Sequence, residues 1–230
     1  MSANLKRSEL IASTDSSSQC QSCHGTGWQQ IRQLDGNLAV RRCSSPLHTI
    51  ERLSALGVPP RYQHFALSAF FSRQESERQA KQMVYRFIRQ FPRSGAGLII
   101  SGPAGSGKTH LVIGLIRQLL RQSLAIPRFV DTNQLLRELD LELNLIELDQ
   151  RQLLLDSTIS ADLLVLDDLI GLPLSISKRD ILDYIISYRY RQLLPIVITT
   201  RLNLVELKQQ LGSNAFSRLA EMCDLLSLGQ

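Results

Sequence analysis

From residue 96 onward, short apolar runs recur at intervals long enough to hold a helix between each pair. The runs are Leu98–Ser101, Arg128–Asp131, Leu163–Asp167, Ile196–Thr199 and Leu225–Leu228. Strands alternating with helical stretches are the pattern of βαβ units, and they predict a mostly parallel sheet. Leu163-Leu164-Val165-Leu166 and Pro195-Ile196-Val197-Ile198 carry no polar interruption, as strands covered on both faces require. Leu111, Leu115 and Leu119 mark a helix after the first run, and Met83, Phe87 and Phe91, four apart, predict another over Glu75 to Phe91. Residues 136–155 are ambiguous in period: Leu139, Leu141, Leu143 and Leu145 alternate like a strand, yet Leu, Glu, Asp and Gln favour helix. A helical insertion is expected there.

Composition narrows the class. The 230 residues are 43% hydrophobic, enough for a real core, so wholesale disorder is excluded. Lys and Arg number 26 against 21 Asp and Glu, a net +5 that permits a polyanionic partner without demanding one. No apolar run approaches the ~18 residues of a membrane span. Lys6 and Arg7 are followed by the polar Ser13–Ser18 where a signal peptide needs an apolar stretch. Three of the four cysteines crowd before residue 44, unlike a disulfide framework. A soluble, cytoplasmic protein is expected. Three regions follow: a polar tail over 1–19, a Cys/His-rich module with a linker over 20–60, and a nucleotide-binding core over 61–230. The linker is assigned to the breaker cluster Gly57-Val58-Pro59-Pro60. Residues 61–95 hold seven basic side chains against Glu75 and Glu77, a face suited to phosphates or simply to solvent.

The chemistry concentrates at the ends of the predicted strands. Gly102-Pro103-Ala104-Gly105-Ser106-Gly107-Lys108-Thr109 matches G-x-x-x-x-G-K-[ST] and lies between a buried strand and an apolar helix, the context this motif needs. Its glycines let successive N–H groups turn inward on phosphate oxygens, and the helix N-terminus adds positive potential. Lys108 would reach the β- and γ-phosphates, and the Thr109 hydroxyl would ligate Mg²⁺. Leu163-Leu164-Val165-Leu166-Asp167-Asp168 places two carboxylates at the end of another strand. Asp167 would hold the metal and Asp168 would polarise a water as general base. Thr199-Thr200-Arg201 follows the next strand, where a polar side chain senses the γ-phosphate, and Arg218 is a candidate arginine finger acting on a neighbouring subunit.

These residues together resemble the AAA+ ATPases of the bacterial DnaC-type helicase-loader and IstB-type transposition-helper family. The resemblance runs from Gly57-Val58-Pro59-Pro60-Arg61-Tyr62 through Gly102–Thr109 with His110-Leu111, Leu163–Leu169, Arg189-Tyr190 and Leu194–Thr200, to Ser217–Cys223. It implies a P-loop NTPase core, a three-layer αβα sandwich whose five core strands, counted in chain order, lie 5-1-4-3-2. It also implies that the nucleotide site is Gly102 to Thr109 with His110, that Arg218 acts in trans, and that residues 132–155 hold an extra helix used in DNA contact. Two departures stand out. The family's sensor asparagine falls on Arg201, which implies slow hydrolysis or substitution by Thr200, and the chain has no room for a helical lid after the last strand.

Cys20 and Cys23 form C-x₂-C, with Cys43 and His48 some twenty residues on, a spacing that would close a tetrahedral Zn²⁺ site. The last cysteine expected from family members is absent, since Ser44-Ser45 follows Cys43, so His48 or His24 would complete the site, or the cluster is degenerate. Cys223 is expected in the core. The implied function is a DNA-replication ATPase binding ATP and Mg²⁺, single-stranded DNA and the replicative hexameric helicase, as a homo-oligomer. An IstB-type helper with a transposase as client, a nucleotide-gated DNA-binding module with little turnover, and a small-molecule P-loop kinase are the alternatives.

Overall fold

A computed structural model describes residues 28–32, 37–42, 46–72, 74–91, 95–122, 124–140, 145–169 and 174–229. The described residues form two compact units, divided between Thr49 and Ile50. The first contains an antiparallel hairpin, β1 (Trp28–Arg32) and β2 (Leu38–Arg42), with Gln30 opposite Val40. A helix, α1 (Pro46–Ala55), begins in it. Cys20, Cys23, His24 and Cys43 lie outside the described residues, as does the expected tail over 1–19.

In the second unit, helix α2 (Glu75–Gln90) precedes strand β3 (Gly97–Ser101) and helix α3 (Lys108–Gln122). Strand β4 (Pro127–Asp131) and helices α4 (Thr132–Leu139) and α5 (Leu148–Ile159) lead to β5 (Leu163–Leu169). Helix α6 (Ile176–Arg191), β6 (Ile196–Thr200), α7 (Leu204–Leu211), α8 (Ser213–Met222) and β7 (Cys223–Ser227) complete it. The sheet runs β4-β5-β6-β3-β7 with every pair parallel. Counted in chain order, that is 2-3-4-1-5, the expected arrangement read from the opposite edge.

Strand alternation explains why the apolar runs are unbroken. Leu98, Ile100, Leu163, Val165 and Val197 face one core cluster with α2 and α3, while Ile99, Leu164, Leu166, Ile196 and Ile198 face a second with α4 to α8. Successive side chains point to opposite faces, so covering both faces demands apolar residues at every position. Helix α2 buries Ala80, Val84, Phe87 and Ile88 on the sheet and leaves Arg78, Arg86 and Arg89 exposed. The helical insertion is two helices, α4 and α5, rather than one continuous element.

The breaker cluster is not a free linker. Leu53 and Val58 are fully or almost fully buried in the first cluster, and Leu56 O accepts the Phe129 N–H of β4 at 2.9 Å. Gly57 sits at φ +89°, and a Cβ there would collide with the Phe129 carbonyl, so this turn is pressed against the sheet edge. The core therefore begins about ten residues earlier than the sequence boundary at 61.

One buried cation ties the start of the acid-bearing strand β5 to the start of its neighbour β6. Arg189, completely buried, donates to the carbonyls of Thr158, Ile159, Ala161 and Pro195, the last two just before β5 and β6. Burial lowers its pKa to about 10, which still leaves it charged at neutral pH. It neutralises the carbonyl end of α5 and ties that end to the starts of both strands. Replacing Arg189 with Ala strands these acceptors and opens a cavity, and should destabilise the fold by about 3 kcal/mol or more, read as a shift in urea midpoint.

Candidate functional site

The phosphate loop and the acid pair meet at the C-terminal edge of the sheet. The loop enters from β3 through Gly102 and closes onto the first turn of α3. Gly107 has φ +89°, and a Cβ there would lie 2.6 Å from the Phe70 ring, so the position needs glycine both for its backbone and for that approach. Pro103, Ala104 and Gly105 form the exposed crest. The Ser106 hydroxyl is buried without a hydrogen-bond partner among the described residues. Lys108 is almost wholly buried, and its amine donates to the carbonyls of Gly102 and Pro103, each at 2.8 Å. Burial lowers the amine's pKa and Arg201 lowers it further, while Asp168 and Asp167 act the other way.

Thr109 donates its hydroxyl to Asp167, with both carboxylate oxygens at 3.1 Å. The metal-ligand pair expected from sequence is thus in direct contact. Burial raises the pKa of Asp167 against the opposing hydrogen bonds from Thr199 and Thr109, with Asp168 and Asp131 raising it further. A buried carboxylate, a hydroxyl and a buried ammonium group at a helix N-terminus match a divalent cation and the phosphates it accompanies. The orphaned Ser106 hydroxyl fits the same ligand, since a phosphate oxygen would satisfy it.

The acids are turned by a bulge. Leu166 pairs with Ile198 but Leu169 with Thr200, so β5 carries one residue more than β6 over this stretch. Asp168 takes up the extra residue at φ +54°, the left-handed region that Asp tolerates better than most side chains. Each main-chain group displaced from the ladder finds a side chain. Thr199 Oγ1 accepts the Asp168 N–H at 2.8 Å and donates to Asp167 Oδ1 at 2.6 Å. Thr132 donates to the Asp167 carbonyl at 2.8 Å, and Asn133 Nδ2 to that of Asp168 at 3.0 Å. Thr200 donates to the Leu169 carbonyl at 2.7 Å and accepts the Leu202 N–H.

This geometry revises two expectations. Thr200 is fully buried with its hydroxyl committed to main chain, so the hydroxyl that reaches the acids is that of Thr199. His110 stacks on Phe65 with centroids 4.5 Å apart, and its Nε2 lies 2.9 Å from the Ala66 carbonyl, so its ring serves the 65–70 turn and only its backbone is left for a phosphate. Arg201 pairs with Asp168 at 3.4 Å. Arg218 lies on α8, bonded to Asp183 of α6 at 3.0 Å and one-third exposed. Cys223 opens β7 half-buried, its thiol pushed up to about 12 by burial, so it is inert as a nucleophile. His48 falls in α1, and its proposed zinc partners lie outside the described residues. Among the described residues no group of three or more His, Cys, Asp or Glu is gathered for a metal, and no helix is long and apolar enough to cross a membrane.

The family model described as IstB-like ATP binding protein matches residues 5–227. The replicative helicase loader DnaC of Escherichia coli (strain K12) is 21% identical over 192 residues, which cover 84% of this chain and 78% of that protein. The crystal structure of the DnaC helicase loader matches with a TM-score of 0.67 at 30% identity, over 74% of this chain and 100% of that one. The crystal structure of DnaI matches at 0.65 and 22% identity, over 74% of this chain and 94% of that one, and shows the same fold.

Two outcomes follow from the site. Thr199→Val removes the hydroxyl that joins Asp167 to Asp168 while keeping its shape, and should cost about 2 kcal/mol of stability by chemical denaturation. Asp167→Asn should raise the melting temperature of the nucleotide-free protein, by the equivalent of about 1 kcal/mol at neutral pH. A carboxyl whose folded pKa is raised destabilises the fold above that pKa, and the penalty is relieved as pH falls through the window down to the ordinary carboxylate value. The advantage of the Asn variant should therefore fade on acidification, as melting curves across that range would record.

Proposed function

This chain belongs to the family of IstB-like ATP binding proteins, and we propose that it binds and hydrolyses ATP as a DNA-replication protein of the helicase-loader type. Its partners are then single-stranded DNA and a replicative hexameric helicase, met in the cytoplasm. The observation that carries the proposal is the contact between the Thr109 hydroxyl and the Asp167 carboxylate at the foot of the phosphate loop. The similarity to DnaC supports the helicase as client.

In this proposal the loop amides from Gly105 to His110 and the Lys108 amine hold the phosphates, since Pro103 has no N–H and that of Gly102 is bonded to the Thr200 carbonyl. Thr109 and Asp167 would hold Mg²⁺, which would supply charge neutralisation for the phosphates. Asp168 accepts the proton of the attacking water, and Thr199 fixes its backbone and the Asp167 carboxylate at once. Lys108 must exchange its loop carbonyls for phosphate oxygens, a local change that its two 2.8 Å bonds define. Arg218, held by Asp183 until then, would complete a neighbouring subunit's site in an ATP-ordered assembly, and the exposed Arg78, Arg86 and Arg89 of α2 would meet DNA phosphates. The alternative client is a transposase, in an IstB-type transposition helper built on the same nucleotide site.

A pull-down with the host's hexameric helicase, with and without ATP, tests the client: capture is expected, and retention of a transposase instead would assign the alternative. In parallel, Lys108→Ala should lower the rate of ATP hydrolysis at least about 100-fold, and a rate indifferent to that change would remove the enzymatic claim.

A further inference from the structure

The two-helix insertion between β4 and β5 carries the wrong charge for the DNA contact that the family resemblance implies. Over residues 132–160, six acids stand against two arginines, a net −4 in a chain of net +5. One of the two, Arg151, is buried and turned to the carbonyls of Glu138 and Ile146. The exposed charges of α5 and its N-cap are therefore all acids: Glu147, Asp149 and Asp156. Among the described residues none of the three pairs with a basic side chain, and Asp156 accepts instead from Gln152 of the same helix. Such a face repels phosphates.

Between these acids lie leucines that the core does not use. Leu148 and Leu153 are 68% and 69% exposed, and Leu145 is exposed just before the helix. Asp149, Leu153 and Asp156 follow at the spacing of neighbours on one helix face, so acid and leucine share a surface. Helix α6 packs on the same core cluster and holds the end of α5 through Arg189. It repeats the pattern: its exposed stripe Ile176, Asp180 and Tyr184 again sets an acid between two apolar side chains. Lys178 and Arg179 at the head of α6 are half-buried, the latter packed toward Gly212.

We propose that the outward face of α5 and α6 is a docking surface for a basic amphipathic helix of another protein, and that the insertion does not hold DNA. The surface lies outside the phosphate site, and its role does not depend on ATP. Leucines this exposed contribute little to folding, and covering them releases apolar area to a partner. Charge selects the occupant: lysines or arginines flanking an apolar stripe meet the acids, while an acidic helix or a nucleic acid is repelled. A helix fits because two packed helices offer their outer edges as a track on which the i, i+4 and i+7 anchors of a third can seat.

The test is fluorescence anisotropy with the full-length chain and three labelled probes: a leucine–lysine peptide of helical pattern, a leucine–glutamate peptide of the same pattern, and a single-stranded oligonucleotide. Circular dichroism confirms folding of each variant. The lysine peptide should bind and the glutamate peptide should not. Leu148→Ser with Leu153→Ser should weaken the lysine peptide about tenfold and leave the oligonucleotide unaffected. Asp149→Lys with Asp156→Lys should weaken it at least about tenfold and admit the glutamate peptide. Failure of the lysine peptide to bind, or binding indifferent to both pairs of substitutions, would overturn the proposal. An oligonucleotide affinity lowered by the leucine pair would overturn it too and return the insertion to DNA. Self-association abolished by that pair, read by sedimentation velocity, would give the face to a second copy instead.

Discussion

The bulge between β5 and β6 is the constraint on which the site depends. A regular parallel ladder would project Asp167 and Asp168 to opposite faces of the sheet, and the acids would not share a ligand. One extra residue on β5 breaks that alternation and keeps both at the strand end. Such a break exposes main-chain donors and acceptors inside a buried sheet, where each unpaired group is costly. Four side chains resolve it: Thr132, Asn133, Thr199 and Thr200. They come from β6, which pairs with β5 on one side, and from the start of α4, which directly follows β4 on the other. The hydroxyl of Thr199 has a second role, since the oxygen that receives the Asp168 N–H also donates to the Asp167 carboxylate. Architecture and chemistry are joined at that atom.

Much of this was legible beforehand, for a physical reason. Strands buried on both faces leave unbroken apolar runs, and the loop from Gly102 to Thr109 needs its residue types at fixed spacing, so both survive in a linear reading. What was not legible turns on register. Thr199 and Thr200 are chemically identical, and which of them faces the acids depends on the bulge in the neighbouring strand, which has no signature in β6 itself. The roles of Thr132 and Asn133 are hidden likewise, since they follow from Asp131 lying opposite Asp167 in a pairing between segments over thirty residues apart. Gly57-Val58-Pro59-Pro60 misled because breakers mark tight packed turns as well as linkers, and a single buried valine has no period. The hairpin of β1 and β2 does carry a signal in the sequence, the Asp35-Gly36 dipeptide between them.

Arg189 extends the same logic to the opposite end of the sheet. A guanidinium without exposure is expensive to desolvate, and the fold retains it because four carbonyls need a donor where α5 ends and β5 and β6 begin. No neutral side chain presents so many donors in one plane. The acids are therefore framed from both ends of β5, by arginine at the start and by threonines at the finish. A displacement of β5 against β6 by one residue would break both sets at once, so the register is specified far more strongly than apolar packing alone would achieve.

The site is also where the protein is least comfortable without a ligand. Asp167 keeps a carboxylate that burial disfavours, Lys108 an ammonium that burial disfavours, and Asp168 a backbone angle that few side chains adopt. Each is destabilising alone, and the two buried charges are relieved by the same class of ligand: a cation opposite Asp167, and phosphate oxygens opposite Lys108, which would also satisfy the buried Ser106 hydroxyl. Folding energy from two large apolar clusters holds these groups in an arrangement that water does not reward. A surface with no ligand would have no cause to keep three such penalties within one loop and one strand end. Their coincidence is itself a physical argument for an anionic ligand accompanied by a metal, independent of any resemblance to other chains.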